Sequence, residues 1–309
     1  MSTYQWYPGH MMKAMRSMRE DIRLIDLVIE LLEARAPLSS RNPDIDTLAA
    51  GKARLIVLNK ADLADPKVTE EFISFFSEKG FTVAAMDSRD SKTAKTLNQA
   101  IQKACAKKLE QNRKKGILNR PLRAMVTGIP NVGKSTLINT LAGRASAKTG
   151  NKPGVTKGKQ WIRLNKQVEL LDTPGIMPPK FESQLVGERL AMLGSINDDI
   201  IEKQELALSL IKFYLKGNRQ TFLNRYGISE EELTGENSGS EAIESNESGR
   251  NEVLSDISEK ERLLTLTAKK RGALKKAGEL DLDRAAALIL DDFRSGKLGR
   301  VTLDEVEVP

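Results

Sequence analysis

The sequence predicts a doubly wound α/β domain with a mostly parallel sheet, followed by a small all-helical C-terminal domain. Short apolar runs rich in β-branched residues are typical of buried parallel strands, and five occur at residues 26–32, 54–59, 82–87, 123–128 and 168–172. Helical stretches separate most of these runs, which indicates alternation of strands and helices. After Pro178 and Pro179 the periodicity is helical almost throughout. We therefore predict one domain over residues 1–180, with an N-terminal extension over residues 1–25, and a second domain over residues 181–309.

Glycines and tight turns mark the ends of individual elements. The stretches EEFISFFSEKG and STLINTLAG have apolar residues at helical spacing and end on Gly80 and Gly143. The stretch QWIRLNKQVELLD predicts two strands joined by a turn near Asn165 and Lys166. In the second domain, LALSLIKFYLKG and DRAAALILDDFRSGKLG predict amphipathic helices. The polar, low-complexity residues 234–252 predict a flexible acidic insert.

Composition narrows the class of protein. The chain has 309 residues, of which 39% are hydrophobic and 29% charged, and this is typical of a globular protein. Its single cysteine, Cys105, excludes an internal disulfide and suits a reducing compartment. No apolar run is long enough to cross a bilayer, and the N-terminus has no apolar core of the signal-peptide kind. We therefore expect a cytoplasmic protein that is monomeric in solution and has no membrane partner.

Charge is distributed unevenly along the chain. The net charge is +7, yet residues 230–261 contain eleven acidic and two basic residues, so the rest of the chain carries +16. A basic body with an acidic insert indicates a polyanionic partner, most simply nucleic acid. A surface charged for solubility is an equally good interpretation of charge alone.

A phosphate-binding loop is indicated by GIPNVGKS at residues 128–135, which matches the pattern GxxxxGKS/T in full. A predicted strand precedes it and a predicted helix follows it, so backbone N–H groups and the helix N-terminus can surround phosphate oxygens. Lys134 can reach the β- and γ-phosphates, and Ser135 can ligate Mg²⁺. The residues that we expect to contact the phosphates are Asn131, Val132, Gly133, Lys134, Ser135 and Thr136.

A second motif, DTPG at residues 172–175, follows the last predicted strand. An acid at this strand end suits Mg²⁺ binding through a water molecule, and the backbone N–H of Gly175 can face the γ-phosphate. Alone the motif could be an ordinary turn, but its position after the phosphate loop favours function. Residues 150–160 lie between the two motifs and indicate a switch segment, in which Thr156 can close on Mg²⁺ and the γ-phosphate. Thr149 is an alternative to Thr156.

A guanine-reading motif, Asn59-Lys60-Ala61-Asp62, ends another predicted strand. The Asp62 carboxylate can accept hydrogen bonds from guanine N1–H and the N2 amino group, a donor pair that adenine lacks. Asn59 can brace the neighbouring loops, and the stem of Lys60 can lie along the base. A further strand ends at Ser88 and Arg89, where a backbone N–H can meet guanine O6. The alternative for an isolated N-K-x-D is a helix-capping turn.

The order of these motifs, with the base-reading motif ahead of the phosphate loop, resembles that of the circularly permuted GTPases of the TRAFAC class. The chain most closely resembles the ribosome biogenesis GTPase A family. The resemblance spans nearly the whole chain, and four segments near its two ends carry it: WYPGHMMKA at 6–14, LVIELLEARAPLSSRNP at 27–43, AKKRGALKKAGELD at 268–281 and DFRSGKLGRVTLD at 292–304. The acidic insert at residues 234–252 departs from the common pattern.

The resemblance implies a Mg²⁺-dependent GTPase that binds the immature large ribosomal subunit and its rRNA. It would promote a late step of assembly and use hydrolysis of GTP to GDP and phosphate to drive release. Two other classes of function remain open: an RNA-binding scaffold whose nucleotide is structural, and a GTPase of another RNA pathway.

The group that activates the attacking water is not obvious. In many GTPases a glutamine follows the glycine of the second motif and orients the water, but here Ile176 occupies that position. Asn131 resembles the asparagine of potassium-dependent GTPases, so K⁺ is a second candidate ion. His10, the only histidine, lies in the N-terminal signature and is a candidate for activating water; contact with RNA or packing is the alternative. The expected catalytic residues are His10, Lys134, Thr156 and Gly175.

Basic residues near the C-terminus are candidates for contact with rRNA phosphates. They are Lys269, Lys270, Arg271, Lys275 and Lys276. Arg16, Arg19 and Arg23 can add to the same surface. A solvated helix face is the alternative interpretation of both sets.

Overall fold

A computed structural model describes residues 9–117, 120–142, 160–234, 258–276 and 278–306 of the protein. The chain divides into two compact units, one of Met1–Asn197 with Arg300–Pro309 and one of Asp198–Gly299. The first unit therefore extends beyond the predicted limit at residue 180, and it also includes the last residues of the chain. Most of the predicted acidic insert, residues 235–252, lies outside the described residues.

One sheet forms the centre of the first unit. In the described residues its strands are β1 (Leu27–Glu33), β2 (Ala53–Asn59), β3 (Thr82–Met86), β4 (Leu122–Gly128), β5 (Gln160–Arg163) and β6 (Val168–Asp172). Their order across the sheet is β3-β2-β1-β4-β6-β5. All neighbouring strands are parallel except β5, which pairs antiparallel with β6. The predicted strands and the predicted hairpin are thus confirmed.

The described part of the first unit contains seven α-helices. They are α1 (Gly9–Asp21), α2 (Asp44–Leu48), α3 (Pro66–Glu78), α4 (Thr93–Ala104), α5 (Ala106–Lys114), α6 (Lys134–Ala142) and α7 (Gln184–Met192). Local sequence explains the bounds of α3, because the Asp65 side chain accepts hydrogen bonds from the backbone N–H groups of Lys67 and Val68, and Pro66 occupies the first turn. The chain then reverses at Gly80, whose φ of +84° suits glycine.

The N-terminal helix is part of the core. Ala14, Met15 and Met18 of α1 pack in one apolar cluster with Val28 of β1 and with Ile176, which follows β6. These three α1 residues recur at helical spacing, so burying them requires the helix to lie against the sheet. The described part of the predicted N-terminal extension therefore belongs to the first unit.

The second unit is helical in its described residues. Its helices are α8 (Lys203–Gly217), α9 (Arg219–Tyr226), α10 (Glu230–Thr234), α11 (Glu259–Lys270) and α12 (Leu282–Arg294). Helix α8 contacts α9, α11 and α12. Tyr214, Phe222 and Phe293 are buried, and the Tyr214 hydroxyl donates a hydrogen bond of 3.0 Å to the Leu298 carbonyl. The two predicted amphipathic helices are confirmed as α8 and α12. No helix in the described ranges combines the length and apolarity that crossing a membrane requires.

Candidate nucleotide-binding site

The carboxyl ends of the parallel strands bring the predicted motifs to one edge of the sheet. Strand β2 ends at Asn59, directly beside Met86 at the end of β3. Strand β4 ends at Gly128, in register with Leu31 of β1. Strand β6 ends at Asp172, in register with Val126. Loops that follow these strands form the crevice in which open α/β sheets bind ligands.

Close packing makes glycine necessary in the loop between β4 and α6. A Cβ atom on Gly128 would lie 2.5 Å from the Leu31 carbonyl oxygen. At Gly133, whose φ is +101°, a Cβ atom would collide with the Nδ2 atom of Asn59. The loop residue Asn131 has a left-handed φ of 60°, and its Nδ2 donates a hydrogen bond of 2.7 Å to the carbonyl of Gly194. The loop is therefore held by neighbours on both sides.

Lys134 is buried at the start of α6. Its Nζ donates hydrogen bonds to the carbonyls of Gly128 at 3.1 Å and Ile129 at 2.8 Å. Burial lowers the pKa of Lys134 to about 8, against the opposing attraction of Asp172. Ser135 and Thr136 follow Lys134 in the first turn of the helix, and both are half-buried. The ammonium group is thus held inside the loop by backbone carbonyls.

Asp172 is a buried carboxylate with incomplete hydrogen bonding. Its side chain is 1% exposed, and neither oxygen accepts a hydrogen bond of ordinary geometry from a described residue. Burial raises the pKa of Asp172 to about 6, although the Lys134 charge and the Thr173 backbone N–H both act to lower it. An unpartnered acid at this strand end fits a cation or a cation-bound water, and thus fits Mg²⁺.

Gly175 lies directly against the phosphate loop. A Cβ atom there would be 2.8 Å from the Pro130 nitrogen, 2.9 Å from its Cα and 3.1 Å from Lys134 Nζ. The next residue, Ile176, donates its backbone N–H to the Gly128 carbonyl at 3.1 Å. Its side chain is buried in the apolar cluster with α1, so it cannot orient a water molecule.

Asn59 connects the two sides of the crevice. Its Nδ2 donates a 2.7 Å hydrogen bond to the carbonyl of Val132 in the phosphate loop. Its Oδ1 accepts hydrogen bonds from the Ser88 backbone N–H at 3.0 Å and the Ser88 hydroxyl at 2.6 Å. One buried amide thus joins the loops that follow β2, β3 and β4.

Lys60 adopts a left-handed conformation, with φ of 57°, and points its ammonium group toward β1. Its Nζ lies 2.6 Å from Oε2 of Glu33, whose Oε1 lies 2.8 Å from Nε of Arg35. Burial raises the pKa of Glu33, but the charges of Arg35 and Lys60 outweigh it and hold that pKa below its usual value. Sequence reasoning did not identify Glu33 and Arg35 as site residues. The available signal was a pair of charges at the end of a strand that is buried along its whole length.

Asp62 is paired with an arginine of the neighbouring loop, which follows β3. Its Oδ2 lies 2.5 Å from Nη2 of Arg89, while its Oδ1 is buried and has no hydrogen-bond partner among the described residues. Arg89 in turn contacts the carboxylate of Asp87. The predicted base-site residues therefore form two separate polar groups, one in which Ser88 donates to Asn59 and one in which Arg89 pairs with Asp62.

The C-terminal segment adds residues that sequence reasoning missed. Arg300 donates hydrogen bonds to the carbonyls of Ala64 at 3.0 Å and Ala61 at 3.2 Å, on the turn that carries Asp62. Asp304 is buried and accepts hydrogen bonds from the backbone N–H of Ser39 at 2.8 Å, from its hydroxyl at 2.7 Å and from Arg189 at 2.7 Å. These contacts explain why the end of the chain belongs to the first unit.

The remaining predicted residues are placed as follows. Thr156 and Thr149 lie outside the described residues, as does the side chain of His10, whose backbone is in the first turn of α1. Among the predicted RNA-binding residues, all five are exposed. Lys270 pairs with Glu232 at 2.7 Å, and Arg271 donates to the Arg225 carbonyl at 2.8 Å. Arg16, Arg19 and Arg23 are exposed as well.

Comparison with known proteins identifies several relatives. Residues 123–238 match the family described as 50S ribosome-binding GTPase. Ribosome biogenesis GTPase A of Bacillus cereus is 43% identical, over 98% of this chain and 94% of that protein. Mitochondrial ribosome-associated GTPase 1 of Mus musculus is 31% identical, over 99% of this chain and 91% of that protein.

Two solved structures are similar to this chain over nearly its whole length. The GDP-bound structure of TM YlqF is 28% identical, covers 95% of this chain and 100% of that chain, and has a TM-score of 0.59. The GNP-bound YlqF from T. maritima is 28% identical, covers 96% and 100% of the two chains, and has a TM-score of 0.58.

Proposed function

Because this chain belongs to the ribosome biogenesis GTPase A family and is a GTP hydrolase that takes part in ribosome biogenesis, we propose that it binds the immature large ribosomal subunit and promotes a late step of its assembly. GTP binding favours docking, and hydrolysis stimulated by the particle drives release. The match of residues 123–238 to the family described as 50S ribosome-binding GTPase supports the ribosomal part of this proposal. The observation that carries its nucleotide-dependent part is the bridge of Asn59 between the loop for the base and the loop for the phosphates. The proposed activity is that of a monomer in the cytoplasm.

The base would lie between the loops that follow β2 and β3. Asp62 would accept from N1–H and the N2 amino group of guanine, and the stem of Lys60 would lie along the ring. The backbone N–H groups of Ser88 and Arg89 would face O6. The buried, unpartnered Oδ1 of Asp62 supports this assignment, because a buried acceptor without a donor favours a ligand that supplies one.

The phosphates would lie over the loop between β4 and α6. Lys134 would exchange its backbone carbonyl partners for phosphate oxygens, and the N–H groups from Asn131 to Thr136 would surround the phosphates. Ser135 and Thr156 would ligate Mg²⁺, with Asp172 acting through water. When bound, Mg²⁺ offsets charge on the β- and γ-phosphate oxygens. The unsatisfied Asp172 carboxylate supports a cation at this position.

Water activation needs a group other than Ile176. We propose His10 for this role, with Asn131 as a candidate ligand of K⁺. Packing of Ala14, one helical turn beyond His10, in the same cluster as Ile176 supports a position of α1 near Gly175. The substitution His10→Ala should then abolish particle-stimulated hydrolysis while GTP binding is retained. Normal stimulated turnover in this variant would remove His10 from the mechanism.

The two connections to the helical unit start from the nucleotide site. The chain enters that unit after Gly194, whose carbonyl accepts a hydrogen bond from Asn131 of the phosphate loop. It leaves the unit at Arg300, which contacts the turn that carries Asp62. We propose that a change at the γ-phosphate passes through these connections to an RNA-binding surface. The proposed surface consists of Lys269, Lys270, Arg271, Lys275 and Lys276.

The experiment that tests the proposed function measures GTP hydrolysis with and without large ribosomal subunits. We expect slow turnover by the protein alone, because Ile176 replaces the water-orienting residue, and a stimulation of at least about tenfold by the immature large subunit. Small subunits and bulk tRNA serve as controls. Negligible turnover with every particle would instead support a scaffold with a structural nucleotide, and stimulation by tRNA alone would support another RNA pathway.

A further inference from the structure

The two loops that frame the proposed base site are joined by a chain of three charged side chains. The carboxylate of Asp87, just after β3, accepts hydrogen bonds from Nε of Arg89 at 3.0 and 3.2 Å and from its Nη2 at 3.0 Å. The Asp87 Oδ1 also accepts the Arg89 backbone N–H at 2.9 Å. The guanidinium is therefore held along its Nε–Nη2 edge by one neighbour, although the side chain is 66% exposed.

This guanidinium reaches across to the carboxylate that would read the base. Arg89 Nη2 donates to Asp62 Oδ2 at 2.5 Å. The other oxygen, Oδ1, is buried and has no hydrogen-bond partner among the described residues. Asp62 thus has one oxygen fixed by the protein and one oxygen left for a ligand.

We propose that the Arg89 side chain determines specificity for guanine by positioning the Asp62 carboxylate so that both of its oxygens meet the base. The inference rests on the proposed nucleotide site. An ionised carboxylate offers about four lone-pair sites, so the Arg89 contact at Oδ2 leaves a second lone pair on that oxygen. Guanine and Arg89 can therefore share the carboxylate.

Orientation matters here because guanine presents two donors with a fixed spacing. A carboxylate that rotates freely about its terminal bond meets N1–H and the N2 amino group together only part of the time. Fixing Oδ2 removes this rotation before the nucleotide arrives. Binding then loses less conformational entropy, because the carboxylate is already ordered in the free protein. An exposed ion pair contributes little to stability by itself, so the effect of Arg89 should appear in recognition rather than in folding.

The opposite role can also be tested. If Arg89 occupied the lone pair that guanine needs, its removal would free Asp62 and tighten binding. The hypoxanthine nucleotide IDP separates the two roles, because it keeps N1–H but lacks the 2-amino group. A positioned carboxylate gains from both donors of GDP and from only one donor of IDP.

The test measures the Kd values of GDP and IDP by calorimetry for the full chain and its variants. We expect Arg89→Ala to weaken GDP binding by about fivefold to tenfold, as for loss of one hydrogen bond, and IDP binding by less than about twofold. The preference for GDP over IDP should therefore fall. Arg89→Lys should restore part of the preference, because it keeps the charge without the planar fork. Asp87→Asn should act in the same direction as Arg89→Ala.

Arg120→Ala is the matched control, since Arg120 is an exposed arginine of the same unit that pairs with Asp26 at 3.4 Å. It should leave both Kd values unchanged.

Equal weakening of GDP binding and IDP binding by Arg89→Ala would show a merely structural role and overturn the proposal. Tighter GDP binding by this variant would overturn it as well. If the unaltered protein fails to prefer GDP, the proposed base site itself is wrong. If the unaltered protein and Arg89→Ala prefer GDP over IDP to the same extent, the proposed base site stands and only the proposed role of Arg89 is wrong.

Discussion

The base side and the phosphate side of the candidate site differ in how completely the protein satisfies its own polar groups. On the base side, the amide of Asn59 uses both its oxygen and its nitrogen in hydrogen bonds, and Lys60 is paired with Glu33. The Asp62 carboxylate there has one oxygen paired with Arg89 and one, Oδ1, without a partner among the described residues. On the phosphate side, both oxygens of the buried Asp172 lack a partner among the described residues. Lys134 on the same side is buried, and its ammonium group donates hydrogen bonds only to the backbone carbonyls of Gly128 and Ile129 among the contacts described above.

This difference indicates that the two sides are built for different tasks. A side chain network with its partners in place keeps its geometry without a ligand, which suits a site that only has to recognise a base. The phosphate side has a lysine whose pKa is lowered and an acid whose pKa is raised, both by burial. Perturbed groups of this kind favour a ligand that brings the missing charges, and a nucleotide with Mg²⁺ does so.

The strongest test of the phosphate side is Gly175→Ala. A Cβ atom at this position meets the backbone of Pro130, which cannot move without moving the phosphate loop. We expect the backbone N–H of residue 175 to be displaced from the γ-phosphate, which should reduce the rate of GTP hydrolysis by about 100-fold, while GDP affinity changes little. Single-turnover hydrolysis and GDP titration measure the two quantities.

Gly217→Ala is the control, since a Cβ atom there has no neighbour within 4 Å. Unaltered hydrolysis in Gly175→Ala would show that the close approach of Gly175 to the phosphate loop has no role in turnover.

A pH titration of stability tests the electrostatic cost at Asp172. A carboxyl whose pKa rises on folding, here from 3.8 to about 6, favours the fold when protonated. The contribution of Asp172 to the free energy of unfolding of the nucleotide-free protein should therefore fall as the pH rises from about 4 to about 6, and this loss persists above pH 6. Asp172→Asn lacks this contribution, so its free energy of unfolding should rise relative to that of the unaltered protein over this range, and the variant should be more stable at pH 7 by on the order of 2 kcal/mol.

Urea unfolding at several pH values measures this difference. Glu110→Gln, at an exposed carboxylate, is the control and should follow the unaltered protein. Addition of GDP with Mg²⁺ should reverse the order, because only the unaltered protein can use the acid to hold the cation. Parallel pH curves for the Asp172→Asn variant and the unaltered protein would contradict the assignment of the cost to Asp172.

The smallest expected effect concerns the base side and its support from the C-terminal segment. Arg300→Ala removes two hydrogen bonds to the turn that carries Asp62. Since these bonds are partly exposed, GDP affinity should fall by only about twofold to threefold, with no change in hydrolysis of bound GTP. Arg284→Ala, at an exposed position of α12, should change neither quantity. A loss of more than about 30-fold would show that the base side depends on the C-terminal segment and is not preformed.

Much of the fold could be predicted because local patterns specify it. The sequence predicts strands from the apolar runs of β2, β4 and β6, and it predicts a hairpin from the turn near Asn165. The structure confirms both. The return of residues 300–309 to the first unit could not be predicted, because it depends on contacts between distant residues. Asp304 joins Ser39 and Arg189, and no local pattern indicates that these residues meet.

The same distinction applies to the candidate site. The sequence by itself determined the motifs and their permuted order, because glycines, a lysine and acids at strand ends are required by the chemistry of phosphate and guanine binding. Only the tertiary structure decided which partners hold those residues: Glu33 for Lys60, Arg89 for Asp62 and backbone carbonyls for Lys134. The physical reason is that hydrogen bonds and ion pairs depend on distances of a few ångströms between residues far apart in the chain, whereas secondary structure depends on neighbours.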